Sequence, residues 1–104
     1  MLLYSFLIFL AGIVTAVSPP SASVTGGTTV TISGTNLGNG SDITSVTMIG
    51  VAVTSIVSQT SASVTVIVGS RSMGAIGNIV VSSVSRGQAV GVNKFIYAAG
   101  MFTI

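Results

Sequence analysis

Few side chains in this sequence could carry out acid–base, nucleophilic or metal chemistry. His, Cys and Glu are absent, and Asp42 is the only side-chain carboxylate in the 104 residues. Hydrolysis by paired carboxylates, activation of a nucleophile by His and binding of zinc each need residues that the chain lacks. A serine activated by Lys94 is chemically conceivable, but no nucleophile-elbow motif positions one. We therefore expect a protein that is not an enzyme and that uses no cofactor.

Charged side chains are equally scarce. They make up 4% of the residues, and the cations Arg71, Arg86 and Lys94 give a net charge of +2. Proteins that bind nucleic acid usually cluster Lys and Arg on one face. Even if all three cations met phosphates, the salt dependence of binding would have a slope of only about −2.7. The sequence therefore predicts no nucleic-acid partner, and a DNA-binding accessory role ranks last among the hypotheses.

The loop that follows Gly34 is rich in Gly and Asn. It reads G-T-N-L-G-N-G from Gly34 to Gly40, without the Lys of a phosphate-binding loop and without G-x-G-x-x-G spacing, so turn formation explains it better. Asn36, Asn39, Ser41 and Asp42 could offer oxygen atoms to Ca²⁺, but a single carboxylate makes a loose site. Asx turns that satisfy neighbouring backbone N–H groups are the favoured interpretation, and we expect no metal site.

The same loop is the best candidate for a functional surface. The triplet Asn39-Gly40-Ser41 is an N-glycosylation acceptor in a predicted exposed loop, and it matters if the chain enters a eukaryotic secretory pathway. Arg86 is expected in a turn at the same end of the domain. The predicted binding rim therefore consists of Asn36, Asn39, Asp42 and Arg86. The alternative interpretation is that these are solvated loop residues without a partner.

Hydrophobic residues alternate with Ser and Thr along most of the chain, which is typical of strands with one buried face. Between two glycine turns, Val30 and Ile32 point to one side, and Thr29 and Thr31 point to the other. Short strands separated by Gly, Asn and Ser are the pattern of a β-sandwich. Seven strands are predicted: an opening strand near Ile13–Pro19, then Thr28–Ser33, Ser45–Ile49, Val51–Val57, Ser63–Val68, Asn78–Ser83 and Ala89–Tyr97.

The alternation also predicts which side chains form the core. These positions are Val30, Ile32, Val46, Met48, Val64, Val66, Ile79, Val81, Phe95 and Tyr97. Two shifts in the phase of the alternation, near Thr54-Ser55 and near Asn93-Lys94, predict bends or β-bulges.

The segment Val24–Leu37 reads V-T-G-G-T-T-V-T-I-S-G-T-N-L. It resembles the IPT/TIG family of immunoglobulin-like domains, in which a G-G-T-x-V-x-I-x-G-x-N-L/F run forms an early strand. Other pieces fall in the family's order: Ile13–Pro19 is similar to I-T-x-V-x-P, Val46–Val51 to V-x-x-x-G-V, Gly77–Val81 to G-x-V-x-V and Phe95–Tyr97 to F-x-Y, while Ser63–Val66 lies where a further strand is expected. The resemblance covers residues 13–97.

The resemblance implies an all-β fold, a seven-stranded immunoglobulin-like β-sandwich of IPT/TIG type over residues 13–97. It does not imply one activity, because members of the family range from cell-surface receptors to transcription factors and polysaccharide-acting enzymes. Cys and Trp are both absent, so the chain lacks the Cys, Trp, Cys framework of antibody domains. Packing alone must hold the two sheets together.

An apolar leader precedes the predicted domain over residues 1–12. Leu2–Leu10 has the length of a signal-peptide core and Val14-Thr15-Ala16 is a tolerable cleavage site, although no Lys or Arg comes before the apolar run. Cleavage after Ala16 would remove most of the opening strand, so either the cut lies earlier, near Gly12, or the leader stays attached as an anchor or assembly segment. Met1–Val17 is slightly short for a membrane span. A piece of a longer protein is the remaining alternative, and residues 98–104 are expected to form a tail or linker.

Three function classes follow, in decreasing order. The first is a non-catalytic, secreted or cell-surface adhesion and scaffold module that binds a protein or glycan partner. The second is a self-assembling structural subunit of a surface fibre or filament, joined through edge strands or the N-terminal segment. It is suggested by strands whose outward residues are hydroxyls rather than the charges that discourage edge pairing: Thr29, Thr31, Ser33, Thr47, Ser63, Thr65 and Ser82. A DNA-binding accessory domain is the third, and membrane contact is expected only through an uncleaved leader.

Overall fold

Two β-sheets pack face to face in the computed structural model, which describes residues 12–98. The strands are β1 (Ile13–Ser18), β2 (Ser21–Ser23), β3 (Thr29–Thr35), β4 (Ile43–Met48), β5 (Val51–Ala52), β6 (Ser55–Gln59), β7 (Ser63–Ile67), β8 (Ala75–Ser83) and β9 (Gly87–Ala98). One sheet has the order β1-β3-β7-β6 and the other the order β2-β9-β8-β4-β5. All pairs are antiparallel except β2 with β9. The all-β immunoglobulin-like sandwich expected from the sequence is confirmed.

The nine strands in the described residues exceed the seven predicted for two reasons: β2 lies just beyond the predicted opening strand and was not expected, and the predicted strand Val51–Val57 is divided between the sheets. The opening strand stops at Pro19-Pro20: β1 pairs with β3, whereas β2 pairs with β9 in the other sheet. The predicted strand Val51–Val57 consists of β5 and β6, which belong to opposite sheets. A strand that changes sheet keeps its apolar, extended sequence while its hydrogen-bonding partners change. The amino-acid composition of Val51–Val57 therefore does not mark the point at which the chain changes sheet.

Alternate residues of the central strands meet between the sheets, as predicted. All ten predicted core positions are buried, and the side chains of Val30, Ile32 and Phe95 have no measurable exposure. Six more apolar residues complete the core: Val14, Ala22, Leu37, Ile43, Val68 and Ala89. Burial of these aliphatic and aromatic side chains is the main driving force for folding, because the chain has no disulfide.

Both predicted shifts of phase correspond to irregularities in the structure. On β9, Gly91 pairs with Ile79 and Phe95 pairs with Gly77, so the bulge lies opposite Asn78. Asn93 adopts a φ of 53° there, and its N–H donates to Asn78 Oδ1 at 2.9 Å. The other shift has a different cause, because near Thr54-Ser55 the chain passes from one sheet to the other. The actual bulge in β6 lies slightly later, between Ile56 and Ser58.

The buried end of β9 is fixed by an aromatic pair. The rings of Phe95 and Tyr97 are 5.4 Å apart and meet edge to face at 88°, a favourable arrangement of ring quadrupoles. The hydroxyl of Tyr97 donates to the carbonyl oxygen of Gly69 at 2.7 Å. Burial raises the pKa of Tyr97, and the positive charge of Arg71 opposes this effect. The hydroxyl is therefore protonated and able to donate at neutral pH.

Replacing Tyr97 with phenylalanine should lower the free energy of unfolding by about 1–3 kcal/mol, because the buried carbonyl of Gly69 would lose its donor. Urea unfolding at pH 7 measures the difference. Tyr97→Phe leaves the ring in place, so the loss reports the hydrogen bond rather than packing. A variant as stable as the parent protein would mean that water replaces the hydroxyl.

The first described residue is held tightly inside the domain. A Cβ at Gly12 would overlap the carbonyl oxygen of Asn36 and come within 2.9 Å of the Cβ of Ala89. Val14 is buried in the core. Cleavage after Ala16 would therefore remove a core side chain and most of the six residues of β1. The rest of the predicted leader, Met1–Ala11, and the tail beyond Ala98 lie outside the described residues.

Candidate functional site

The β3–β4 loop lies at one end of the sandwich, together with the β6–β7 and β8–β9 turns. Its path is set by Leu37, which is fully buried, and by Asn36, which adopts a φ of 51°. Asn tolerates this left-handed conformation better than most residues do. The N–H of Leu37 donates to the carbonyl oxygen of Ser61 at 2.9 Å. The loop is thus anchored to the core and to the β6–β7 turn.

Asp42 joins this loop to the β8–β9 turn. Its Oδ1 accepts a hydrogen bond from the N–H of Asn39 at 2.8 Å, and its Oδ2 accepts one from the N–H of Ser85 at 2.6 Å. The N–H of Val84 donates to the carbonyl oxygen of Asp42 at 3.1 Å. Hydrogen bonding by the Ser85 side chain, followed by the Asn39 N–H, lowers the pKa of Asp42 from its ordinary 3.8, although partial desolvation opposes this. The charged carboxylate therefore links the β3–β4 loop to the β8–β9 turn, and we call this link the clasp.

Replacing Asp42 with asparagine should lower the melting temperature at pH 7, because the loop and the turn lose their charged acceptor. A lowered pKa stabilises the folded state above the ordinary pKa of 3.8, and this contribution is lost as the pH falls through the folded-state pKa. The difference between parent and variant should thus be largest at neutral pH and shrink below 3.8. Thermal unfolding from neutral to acid pH measures it, and a difference that does not change with pH would contradict the clasp.

Asn39 is exposed at the tip of the loop. Its Oδ1 accepts from the N–H of Ser41 at 3.0 Å and from the Ser41 hydroxyl at 3.4 Å, which is an Asx turn. Gly40 between them has a φ of 112°, a conformation that glycine adopts at little cost. The acceptor triplet therefore stands in an exposed turn, and its side-chain oxygen is already bonded to the hydroxyl-bearing residue.

Arg86 lies in the β8–β9 turn, beside the residues that Asp42 holds. The backbone N–H of Arg86 donates to the Ser83 Oγ at 3.0 Å, and Arg86 is half-buried. The structure thus places Asn36, Asn39, Asp42 and Arg86 at the same end of the sandwich. We call this end the rim. Backbone hydrogen bonds and the Asp42 carboxylate join the loops of the rim to one another and to the core.

Sequence reasoning did not identify Ser83 and Ser85 as rim residues. Ser83 is buried and accepts from the N–H of Arg86, and Ser85 supplies a donor to Asp42. Asp42 and Ser85 are 43 positions apart in the chain, so no local pattern marks their contact. The only sequence signal is the Ser-rich turn that precedes Gly87.

A second depression lies on one side of the sandwich, between β4 and the chain that crosses from β5 to β6. Its volume is about 350 Å³. We call it the β4–β6 groove; its lining residues are Thr44, Ser45, Val46, Ala52, Val53, Thr54, Ser55 and Ile56. It carries no charged side chain. Sequence reasoning missed this groove, because it arises where the predicted strand Val51–Val57 divides between the sheets.

The two outer faces of the sandwich differ in chemistry. On the four-stranded sheet, hydroxyl side chains stand in register across all four strands: Ser18, Thr31, Thr65 and Ser58. The five-stranded sheet instead exposes apolar side chains on its inner strands β8 and β9: Ile76, Val90, Val92 and Ile96. The exposed apolar residues of the four-stranded sheet, Ile13 and Val57, lie on its border strands. The hydroxyl-rich character expected of the outward residues therefore describes the four-stranded sheet but only part of the other sheet.

The cations are dispersed over the domain. Arg86 is at the rim, Lys94 is exposed in the bulge of β9, and Arg71 lies in the β7–β8 loop at the opposite end. The Arg71 guanidinium donates to the carbonyl oxygens of Ile49 at 2.9 Å and Met73 at 3.0 Å, so it ties loops together. Residues 12–98 contain no group of three or more acidic, His or Cys side chains that could hold a metal ion. Nor does this described part contain a helix able to cross a membrane.

Comparison with solved structures supports the fold. A crystal structure of an auxiliary nutrient binding protein from Bacteroides ovatus ATCC 8483 superimposes on 88% of this chain with a TM-score of 0.61 and 20% sequence identity. The chain spans only 21% of that protein's length. At this identity the likeness concerns the fold alone. No curated protein sequence matches the chain significantly.

The family comparison is more specific. The family model of the IPT/TIG domain matches residues 13–97, from the start of β1 to Tyr97 in β9. This range contains every strand that the structure describes, apart from the last residue of β9. It also contains the glycine turns and the closing F-x-Y motif quoted above. The chain therefore belongs to the IPT/TIG family of immunoglobulin-like domains.

Proposed function

We propose that this domain is a non-catalytic binding and scaffold module of a secreted or cell-surface protein. The observation that carries the proposal is the rim, where Asp42 holds two loops together and leaves Asn39 exposed at the tip. A rigid sandwich that presents polar loops at one end is suited to recognition. The sequence lacks His, Cys and Glu, so the rim offers hydrogen bonds and one exposed amide rather than catalytic groups.

The partner that fits this rim is a protein or a glycan with polar, uncharged groups. Amide and hydroxyl groups bind such partners through directional hydrogen bonds, whereas long-range charge attraction contributes little here. A nutrient-binding protein, of which this chain spans 21%, has a similar fold in the matched part and supports a role as one module in a longer binding protein. Exposed aromatic rings, which commonly stack on sugars, are absent from the rim residues named here, so a protein surface fits better than a bare sugar.

A binding experiment with rim and face variants tests this proposal. The full chain would be immobilised and offered an array of glycans and an extracellular protein extract. Binding should be lost in a variant carrying Asn39→Gln with Arg86→Gln and retained in the control Thr29→Ala, which alters the opposite hydroxyl face. Equal binding by both variants, or hydrolysis of an offered glycan, would contradict the proposal.

Secretion and glycosylation are tested on protein expressed in eukaryotic cells. We expect it in the medium or at the cell surface, with a mass that falls after glycosidase treatment and is unchanged by the treatment in Asn39→Gln. N-terminal sequencing should show either a cut at or before Gly12 or a leader that stays attached as an anchor or assembly segment, but no cut after Ala16, because Val14 is part of the core. Protein retained in the cytoplasm with its full leader would contradict this localisation.

Self-assembly into a fibre is a second candidate function, and one observation favours it. The strands at the borders of the two sheets are β1, β6, β2 and β5, and none contains a charged residue. Border strands of monomeric proteins usually carry charges that prevent pairing between molecules. Sedimentation velocity should therefore show oligomers that grow with concentration. A monomer at the highest attainable concentration would exclude this function.

A DNA-binding accessory role is the weakest candidate. The dispersed cations described above would have to contact phosphates from separate faces of the domain. Any affinity for DNA should disappear at physiological salt, and affinity that persists there would revive this role.

A further inference from the structure

We propose that the β4–β6 groove accepts the apolar segment Met1–Ala11 of a second copy of the chain as an added β-strand. The proposal rests on the second candidate function, self-assembly, and assigns its interface. It joins two features that the binding-module function leaves unused: a groove between two sheet edges and an apolar segment outside the described residues.

The groove lies between the unpaired edges of the two sheets. β6 is the last strand of the four-stranded sheet. In the five-stranded sheet, β5 covers only Thr47 and Met48 of β4, so the edge of β4 from Ile43 to Val46 has no neighbouring strand. An extended segment can add to such an edge through main-chain hydrogen bonds.

The edge of β4 directs main-chain groups into this space. The carbonyl oxygen of Val46 accepts from the N–H of Val53 at 3.0 Å. The N–H and C=O of one residue in an extended strand point to the same side, so the N–H of Val46 also points toward the groove. A strand that enters the groove would therefore find a backbone donor next to Val53.

The side chain of Gln59 lies at the Ile43 end of this edge, where it bonds main-chain groups that a neighbouring strand would otherwise pair with. Its Oε1 accepts from the N–H of Ile43 at 2.8 Å, and its Nε2 donates to the carbonyl oxygen of Ile43 at 3.4 Å. One side-chain amide thus satisfies both main-chain groups of Ile43 in place of a paired strand. Ile43 is therefore closed to an added strand, which could pair with β4 only beyond this residue.

The segment Met1–Ala11 is uncharged, like the groove, and is more than long enough to follow β4. It reads M-L-L-Y-S-F-L-I-F-L-A and has no charged side chain, and the groove lining has none either. Eleven extended residues reach about 36 Å, whereas the six residues of β4 span about 20 Å. Small and medium side chains line the groove, among them Ala52, Ser55 and Thr44, which leaves room for the larger Leu, Ile and Phe side chains of the segment.

A second copy fits better as the donor than the same chain. Gly12 is held between Asn36 and Ala89 of β9, while the groove borders β4, and β8 separates β4 from β9. Gly12 therefore lies beside Asn36 of the rim. To reach its own groove, the segment would have to turn back across the β3–β4 loop. Donation from one end to the side of the next copy is a heterologous contact, which builds open filaments.

Disulfide trapping tests the proposal directly, because the chain has no natural cysteine. Full-length protein with Phe6→Cys would be mixed under oxidising conditions with full-length protein carrying Ser55→Cys in the groove. The matched control carries Ser21→Cys on β2, at the other border of the same sheet as β4. We expect several-fold more mixed dimer with Ser55→Cys than with Ser21→Cys.

A second measurement uses charge. Ala52→Lys places an ammonium group in the groove and should weaken self-association about tenfold or more. Val90→Lys, on the exposed face of β9, should leave self-association unchanged. Each variant would first be checked for a folded spectrum by circular dichroism.

The outcomes separate the interface from self-assembly in general. Equal trapping at Ser55→Cys and Ser21→Cys, or loss of association in Val90→Lys rather than Ala52→Lys, would overturn the groove while self-assembly stands. A bridge within a single chain carrying both Phe6→Cys and Ser55→Cys would overturn the second copy as donor. A parent protein that sediments only as a monomer would overturn both the groove and the fibre function.

Discussion

Replacing Phe95 with alanine should destabilise the domain by about 3–5 kcal/mol. The ring has no measurable exposure and packs edge to face against Tyr97. Phe95 follows the bulge of β9, pairs with Gly77 of β8 and faces the core. Removal of its ring would leave a cavity that the surrounding side chains could fill only if β9 moved. A small domain has only about 5–15 kcal/mol of total stability, and the variant should be partly unfolded at 37 °C.

Urea unfolding followed by tyrosine fluorescence or circular dichroism measures this loss. Ile96→Ala is the matched control, because Ile96 neighbours Phe95 on the same strand but is 41% exposed on the outer face. The control should lose much less stability, since its side chain is only partly withdrawn from water. A loss in Phe95→Ala no larger than in Ile96→Ala would mean that the core does not depend on this ring.

Gly34→Ala should destabilise the domain by about 1–3 kcal/mol through steric overlap rather than loss of contact. A Cβ at this position would overlap the carbonyl oxygen of Ile13 and come within 3.1 Å of Leu37 Cδ2. Gly34 pairs with Val14 where β1 joins β3. The backbone of β1 cannot move away without exposing Val14. The close approach of two strands thus explains why the family motif has a glycine at the position of Gly34.

Hydrogen exchange and urea unfolding together test this mechanism. Gly34→Ala should speed exchange of the β1 amides most, because the substitution separates β1 from β3. Thr35→Ala, at the next and exposed position, should change neither stability nor exchange by a comparable amount. Unchanged protection of β1 in Gly34→Ala would show that the added methyl group is accommodated elsewhere.

The rim and the β4–β6 groove differ in how far they could be foreseen. The rim residues occur in glycine-rich turns, and turn chemistry is local, so Asn36, Asn39 and Asp42 were recognisable as loop residues. That Asp42 accepts from Ser85 depends on two turns meeting across the sandwich. The groove had no local signal, because it arises only where β5 and β6 separate into different sheets.

The strand count shows the same division. The alternation of Val and Ile with Thr and Ser was sufficient to place the core, and all ten expected positions are buried. It could not show that β2 would follow the opening strand in the other sheet, or that Val51–Val57 would be divided between the two sheets. A residue in an extended segment has the same period of two whichever sheet it joins, so its hydrogen-bonding partner is decided by the whole fold.

The amino-acid sequence by itself determined the family, the two-layered β fold, the identity of the core and the absence of a catalytic inventory. These depend on residue types and on spacing within single strands and turns. The tertiary structure alone decided the division into nine strands, the clasp of Asp42 on Ser85, the closure of Gln59 over Ile43 and the groove beside β4. The physical reason is that hydrogen bonds between distant segments depend on how the sheets stack, which no local pattern of side chains encodes.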